Sequence, residues 1–241
     1  MAYTTIDDSE AYFQVKLYTG NAGTLAVTLD GDTDMQPDLV WAKGRTVETP
    51  NALFDSVRGA TKYLEADRTV AEATVADSLT SFDSDGFTLG ADASTVINHT
   101  QPMAAWCWKE TATAGFDIVS YTGTGSAKTE SHSLSAVPHF IIVKNRTDAD
   151  AWRIYHHKNT AAPETDYLVL DTTAATADDA TAWNDTAPTS SVFSVGTSDE
   201  TNENTDSFIA YLFSEKQGFS KFGSYEGNGN ADGAFVYTGF R

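Results

Sequence analysis

PDLVWAKGR at residues 37–45 returns as PHFIIVKNR at 138–146. MAAWCWKE (103–110) is answered by FIAYLFSE (208–215), and LYTGNAG (17–23) by SYTGTGS (120–126) and SYEGNGN (224–230). Tyr18, Tyr121 and Tyr225 recur at intervals of 103 and 104 residues. One offset shared by three separate motifs is the mark of a duplicated folded unit. It restricts the chain to architectures that build the same unit at least twice. Such a design favours a scaffold or a binding surface over a single catalytic centre.

The repeated motifs are strand-like. Leu39–Ala42, Ala104–Trp108, Phe140–Val143 and Phe208–Phe213 are short apolar runs rich in β-branched and aromatic residues. Side chains on a strand alternate between two faces, so an unbroken apolar run needs cover on both and reads as a central strand. GFDIVSY (115–121) and GFSKFGSY (218–225) mix apolar with polar residues and read as half-exposed strands. Two Ala- and acid-rich stretches, 67–79 and 171–183, admit a helical turn or two between strands. The expectation is an all-β fold of two tandem duplicated β-sandwich units with short helical turns in the loops. Its divisions are an N-terminal anchor segment (1–11), repeat one (12–112), repeat two (113–216), and the start of a third repeat or closing strands (217–241). The outer loops 66–80, 91–101, 171–190 and 197–206 are expected on the surface. GAFVYTGFR at the end stands where LAVTL (25–29) stands in the first copy, so the chain is expected to be the front of a longer array or to have shed later copies, with its last strand seeking a partner in a sister or neighbouring chain.

With 41% hydrophobic residues the chain has ample material for a core, and disorder is not expected despite a net charge of −19. That charge repels phosphate backbones and anionic membrane surfaces, so neither nucleic acid nor a membrane is an expected partner. No run approaches the roughly 18 apolar residues needed to span a bilayer. Cys107 is the only cysteine, which excludes an intrachain disulfide; within AAWCW it reads as a buried, inert thiol.

No motif for nucleophilic or metal-assisted hydrolysis is present, and the chain reads as a non-enzyme. His156 and His157 follow Tyr155 in a strand-like run, so their rings are expected on opposite faces. Asp30, Asp32 and Asp34 in LDGDTD alternate as in the first half of a calcium loop. The glycine and distal glutamate of such a loop are missing, which favours a solvated acidic loop; Ca2+ is the one cofactor suggested. Lys43 with Arg45 and Lys144 with Arg146 recur at the ends of equivalent strands. They fit either salt bridges to acidic loops or a contact between subunits. Trp106 and Trp108, answered by Tyr211 and Phe213, suit packing. Trp152 and Trp183 lie nearer loops and are the candidates for stacking on a ligand.

IDDSEAYFQVKLYTGN, QPDLVWAKGR with LFDSVRGATKYL, WCWKE, GFDIVSYTGTG, PHFIIVKNR with YHH and TDYLVL, and FGSYEGNGNADGAFVYTGFR stand in an order that resembles a repeat family of tailed bacteriophages. The family is frequent in marine and cyanobacterial phages and is described there as structural or tail-fibre protein. The likeness spans nearly the whole chain and carries over no catalytic residue. It implies a virion protein made in the host cytoplasm: a capsid decoration, head-fibre or tail-fibre subunit. Its implied partners are other virion proteins and further copies of itself in a homo-oligomer. The alternative is a carbohydrate-binding adhesin for host-surface glycan; a polysaccharide depolymerase would need two facing carboxylates in a cleft. The Trp, Gly-Phe and Tyr-Thr-Gly strands are also similar to laminin-G and concanavalin-like sandwiches, which implies a concanavalin-like or jelly-roll strand order.

Overall fold

The four apolar runs become strands, buried on both faces except where Trp106 of 104–108 stays exposed, and the parity of each run decides which core it feeds. The computed structural model describes residues 4–92 and 96–239. Parts of the expected anchor (1–3), of the 91–101 loop (93–95) and of the terminal strand (240–241) lie outside the described residues. Repeat one contributes β1 (Phe13–Thr19), β2 (Leu25–Val27), β3 (Leu39–Gly44), β4 (Ala52–Asp55), β5 (Lys62–Glu65), β6 (Ala73–Thr74), β7 (Leu79–Asp83), β8 (Gly86–Leu89) and β9 (Pro102–Trp108). Repeat two contributes β10 (Phe116–Thr122), β11 (Lys128–Ser131), β12 (Phe140–Asn145), β13 (Arg153–His156), β14 (Asp166–Val169), β15 (Ala177–Asp178), α1 (Ala180–Trp183), β16 (Val192–Val195), α2 (Asp199–Asn202) and β17 (Ser207–Phe213).

The first large sheet runs β1-β9-β3-β4-β5-β6, and the second runs β10-β17-β12-β13-β14-β15. The two orders are the same, element for element. Each large sheet carries a small one: β2-β8-β7 in repeat one, β11-β16 in repeat two. The copies differ where β7 stands. There repeat two forms α1, whose start is capped by the Asp179 carboxylate accepting from Thr181 N–H at 2.8 Å. The fold is therefore all-β, with two duplicated sandwich units. The helical turn expected in 171–183 is α1; the 67–79 stretch forms none.

Three cores fill four layers. Val40, Ala42, Ala105 and Cys107 of the first large sheet pack on Val27, Leu79, Phe87 and Leu89 of its small sheet. Ile141, Val143, Phe208, Ala210 and Leu212 pack on Phe193 and Val195 in repeat two. The intervening residues turn the other way and meet between the repeats: Leu39, Leu53 and Leu64 against Phe116, Ile118, Ile142, Ile154, Ile209 and Tyr211. Each repeat therefore supplies the cover for the other's second sheet face. Burial of this kind contributes about 25 cal/mol per Å² of apolar surface, which binds the two units into one body.

Loops repeat as faithfully as strands. Gly20 and Gly123 have no room for a side chain: a Cβ would fall 1.9 Å from the carbonyl oxygens of His99 and Glu203 respectively. The expected strand at 218–225 does not form. β1 pairs with β9 and β10 with β17, and 218–225 has no equivalent partner among the described residues. Three of the expected outer loops carry structure. Glu72 in 66–80 bonds across to repeat two, 171–190 holds α1, and 197–206 holds α2 with Thr201 and Asn202 buried.

Candidate functional site

A cluster of buried and half-buried polar side chains lies at the seam between the repeats. Asp55, at the end of β4, accepts from Arg58 N–H at 2.8 Å and from Arg58 Nε at 2.5 Å. Tyr211 of β17 donates its hydroxyl to Asp55 Oδ2 at 2.7 Å. Arg58 Nη2 donates to Leu53 O at 2.8 Å, and Nη1 to Glu72 Oε2 at 3.2 Å. Glu72 is then clasped by Arg146 from repeat two, through Nε at 2.8 Å and Nη2 at 3.1 Å. Burial pushes the Glu72 carboxyl up, but the Arg146 and Arg58 bonds outweigh it and hold it below the usual range. Every charge has a partner, so the cluster fixes the register of the repeats.

Beside it, an apolar cavity of about 230 Å³ opens between the large sheets. Trp41, Trp108, Phe140, Tyr211, Phe213 and Phe222 line it. Phe222 stacks on Phe140 with ring centroids 5.5 Å apart, so the segment after β17 closes one end.

Two carboxyls meet where repeat one passes into repeat two. Burial pushes Glu110 up to about 7, reinforced by its hydrogen bond to Asp117. Burial also raises Asp117, but the Glu110 bond and the Ser133 N–H and hydroxyl, at 2.5 and 2.9 Å, bring it below its ordinary value. Glu110 Oε1 also accepts from Ile118 N–H at 3.3 Å. This pair does not line the apolar cavity.

The residues singled out from sequence divide between enclosed positions and solvated loops. Trp152 is wholly buried, and its indole N–H donates to Glu65 O and Arg68 O at 3.0 and 3.1 Å across the seam. Trp183 is buried in the repeat-two core with its N–H on Asp166 O at 3.1 Å. Neither offers a stacking face, because each ring fills the space beneath its loop. Lys43 donates to Thr49 O at 2.5 Å; the equivalent Lys144 is fully buried and donates to Asn145 O and Asp148 O at 2.7 and 3.1 Å. Desolvation lowers Lys144 to about 8. Arg45 is exposed, while Arg146 is spent on Glu72 inside the chain. The repeated basic pair thus serves strand ends and the seam.

Asp30, Asp32 and Asp34 lie exposed, with Lys16 paired to Asp30. Among the described residues the carboxylates that converge belong instead to Asp148, Glu203 and Asp206, within 4.8 Å of one another. Asp206 is bonded there by Asn145 Nδ2 at 2.8 Å. Cys107 is buried and free, its thiol pushed up to about 12 by burial. His157 departs from the expected alternation because β13 ends at His156. Its ring meets that of His139 at 4.5 Å, and its Nε2 lies 3.0 Å from Phe222 O.

Sequence reasoning missed a repeated asparagine. Asn98 Oδ1 accepts from Asn21 N–H at 2.8 Å, and its amide donates to Gly23 O and Gly90 O at 2.6 and 2.5 Å. Asn202 does the same with Thr124 N–H, Ser126 O and Gly196 O at 2.8, 2.7 and 2.6 Å. Both are buried. The signal was present as a 104-residue offset between Asn98 and Asn202, but one polar letter is inconspicuous among apolar motifs.

Fold and seam together define a duplicated four-layer all-β protein whose two repeats are joined by buried polar contacts. The chain belongs to the family described as a domain of unknown function (DUF7483), whose model matches residues 8–241. No curated protein and no solved structure matches it.

Proposed function

We propose that the chain is a non-enzymatic structural protein of a tailed-phage virion, a capsid decoration, head-fibre or tail-fibre subunit whose task is rigid display. The phage setting comes from the ordered resemblance across the sequence. The observation that carries the structural role is the shared core between the repeats. Leu39, Leu53 and Leu64 interlock with the repeat-two sheet, and Trp152, Arg146 and Tyr211 bond across the same seam. Two sandwiches locked in this way transmit orientation rather than flex about a linker. A net charge of −19 keeps such a surface soluble and repels non-specific contact with nucleic acid.

The adhesin reading has fewer residues to draw on, since Trp152 and Trp183 are enclosed. The test is location. Antibody against the purified chain, applied to intact particles of its phage and viewed by electron microscopy, should decorate one regular set of positions on head or tail. Absence of the chain from purified particles by mass spectrometry overturns the reading.

A further inference from the structure

The exposed large hydrophobic residues among those described fall largely into two places. Val15, Leu17 and Trp106 are 48%, 54% and 37% exposed on β1 and β9, and Tyr225, Phe235, Val236 and Tyr237 are 72%, 90%, 49% and 73% exposed after β17. Val57, Val70 and Val137 are scattered singly.

The first patch continues an interface already built. Val15 faces Trp106, and Trp106 faces Trp41, whose ring borders the inter-repeat core. The equivalent positions in repeat two, Ile118 and Tyr211, are 5% and 1% exposed because repeat one covers them. The same sheet position is thus closed in one copy and open in the other.

The strand edges differ in the same sense. β10 is also an edge strand, but three of its residues have outward backbone groups already bonded. Phe116 N–H donates to Thr111 O at 3.2 Å, Ile118 N–H to Glu110 Oε1 at 3.3 Å, and Thr122 O accepts from Lys128 Nζ. On β1, Lys109 N–H bonds Tyr12 O and Gly20 N–H bonds Gln101 O, so even-numbered residues point their backbone groups at β9. Phe13 N–H, also outward, is taken by Ser9 O at 3.0 Å, and the groups of Val15, Leu17 and Thr19 point outward along a seven-residue strand that has no neighbouring strand on that side among the described residues. A long, apolar, unpaired edge is a template for another strand.

We propose that residues 234–237 of one copy add as a strand to the β1 edge of a second copy. Phe235 and Tyr237 then lie on the face that Val15, Leu17 and Trp106 present, with strand alternation sending Val236 to the other side. Donor and acceptor are different surfaces of one chain, so the contact is head-to-tail and propagates. This deepens the scaffold reading and rests on it for its setting.

The test is the mass of the full chain by sedimentation velocity in about 0.15 M salt, where repulsion between exposed charges is screened beyond about 8 Å. Two variants, each altered only at exposed positions, isolate the halves of the contact: Leu17→Lys for the acceptor and Phe235→Ser with Tyr237→Ser for the donor. The unaltered chain should gain mass with concentration beyond the dimer, and each variant alone should stay monomeric. A one-to-one mixture of the two variants should stop at the dimer, because it retains one intact donor and one intact acceptor. A monomeric unaltered chain, including one with its tail folded onto its own β1, overturns the proposal. So do variants that still associate, or a mixture that stays monomeric. None of these outcomes removes the chain from a particle, so failure of the contact is distinguishable from failure of the virion reading.

Discussion

Tyr211 Oη lies 2.7 Å from Asp55 Oδ2, with both side chains shut off from solvent and one from each repeat. Arg58 completes the group, so Asp55 is the shared acceptor for a buried cation and a buried phenol. Tyr211→Phe removes the donor to Asp55 and the acceptor that Arg58 Nη2 meets at 3.3 Å, but leaves the Asp55–Arg58 pair intact, a loss of about 1.5–3 kcal/mol. Asp55→Ala strands a buried guanidinium and should cost about 3–5 kcal/mol. Urea unfolding of both variants checks the order; equal costs would refute the shared-acceptor account.

Asn98 and Asn202 hold equivalent loops with equivalent bonds, so their losses should match. Alanine at either position leaves two carbonyls and one N–H without their side-chain partner, for roughly 1–3 kcal/mol. Because a common core joins the repeats, thermal unfolding of either variant should show one cooperative transition with a lowered midpoint. Two separated transitions would mean that the repeats unfold independently.

Trp152 should behave as a tie between repeats. Trp152→Phe keeps most of the ring but loses the donor to Glu65 O and Arg68 O, at about 1 kcal/mol. Trp152→Ala opens a cavity in the seam, at about 3–5 kcal/mol. Chemical denaturation reads both, and an alanine variant as stable as the parent would return Trp152 to the surface.

The Glu110–Asp117 pair makes stability depend on pH in a stated direction. Burial raises Glu110 from its ordinary 4.5 to about 7 in the folded chain, so between those values the folded state binds the extra proton. Stability from this group is full below about pH 4.5 and is lost as pH rises through 7. Glu110→Gln imitates the protonated form and removes that slope, a difference on the order of 1 kcal/mol once solvent screening is allowed for. Unfolding midpoints of parent and variant at pH 4.5 and 8 measure it; parallel pH profiles would show that Glu110 holds no shifted proton.

Strand identity was legible in the sequence because it is a local property. Leu39–Ala42, Ala104–Trp108, Phe140–Val143 and Phe208–Phe213 announce central strands by composition and length, and they became β3, β9, β12 and β17. The helical turn at Ala180–Trp183 was likewise within reach of its alanines. The fate of the polar and aromatic candidates was not legible. Trp152 lies in the loop before β13, as its neighbours suggested, yet the other repeat's β5 turn closes over its ring. Arg146 was open to either an acidic loop or a partner chain, and which carboxylate takes it, Glu72 from 74 residues away, was not legible.

The amino-acid sequence alone determined that one antiparallel sandwich would be built twice, since periodicity, turn residues and the offset near 104 are all written in neighbouring letters. Only the tertiary structure decided that the two sandwiches share a core, that Arg146, Trp152 and Tyr211 are spent on it, and that β1 keeps an open edge while β10 does not. The reason is physical. Alternation sets which way a side chain points, but the cover it meets comes from chain far away, and two copies of one motif receive different cover when only one faces the other's sheet.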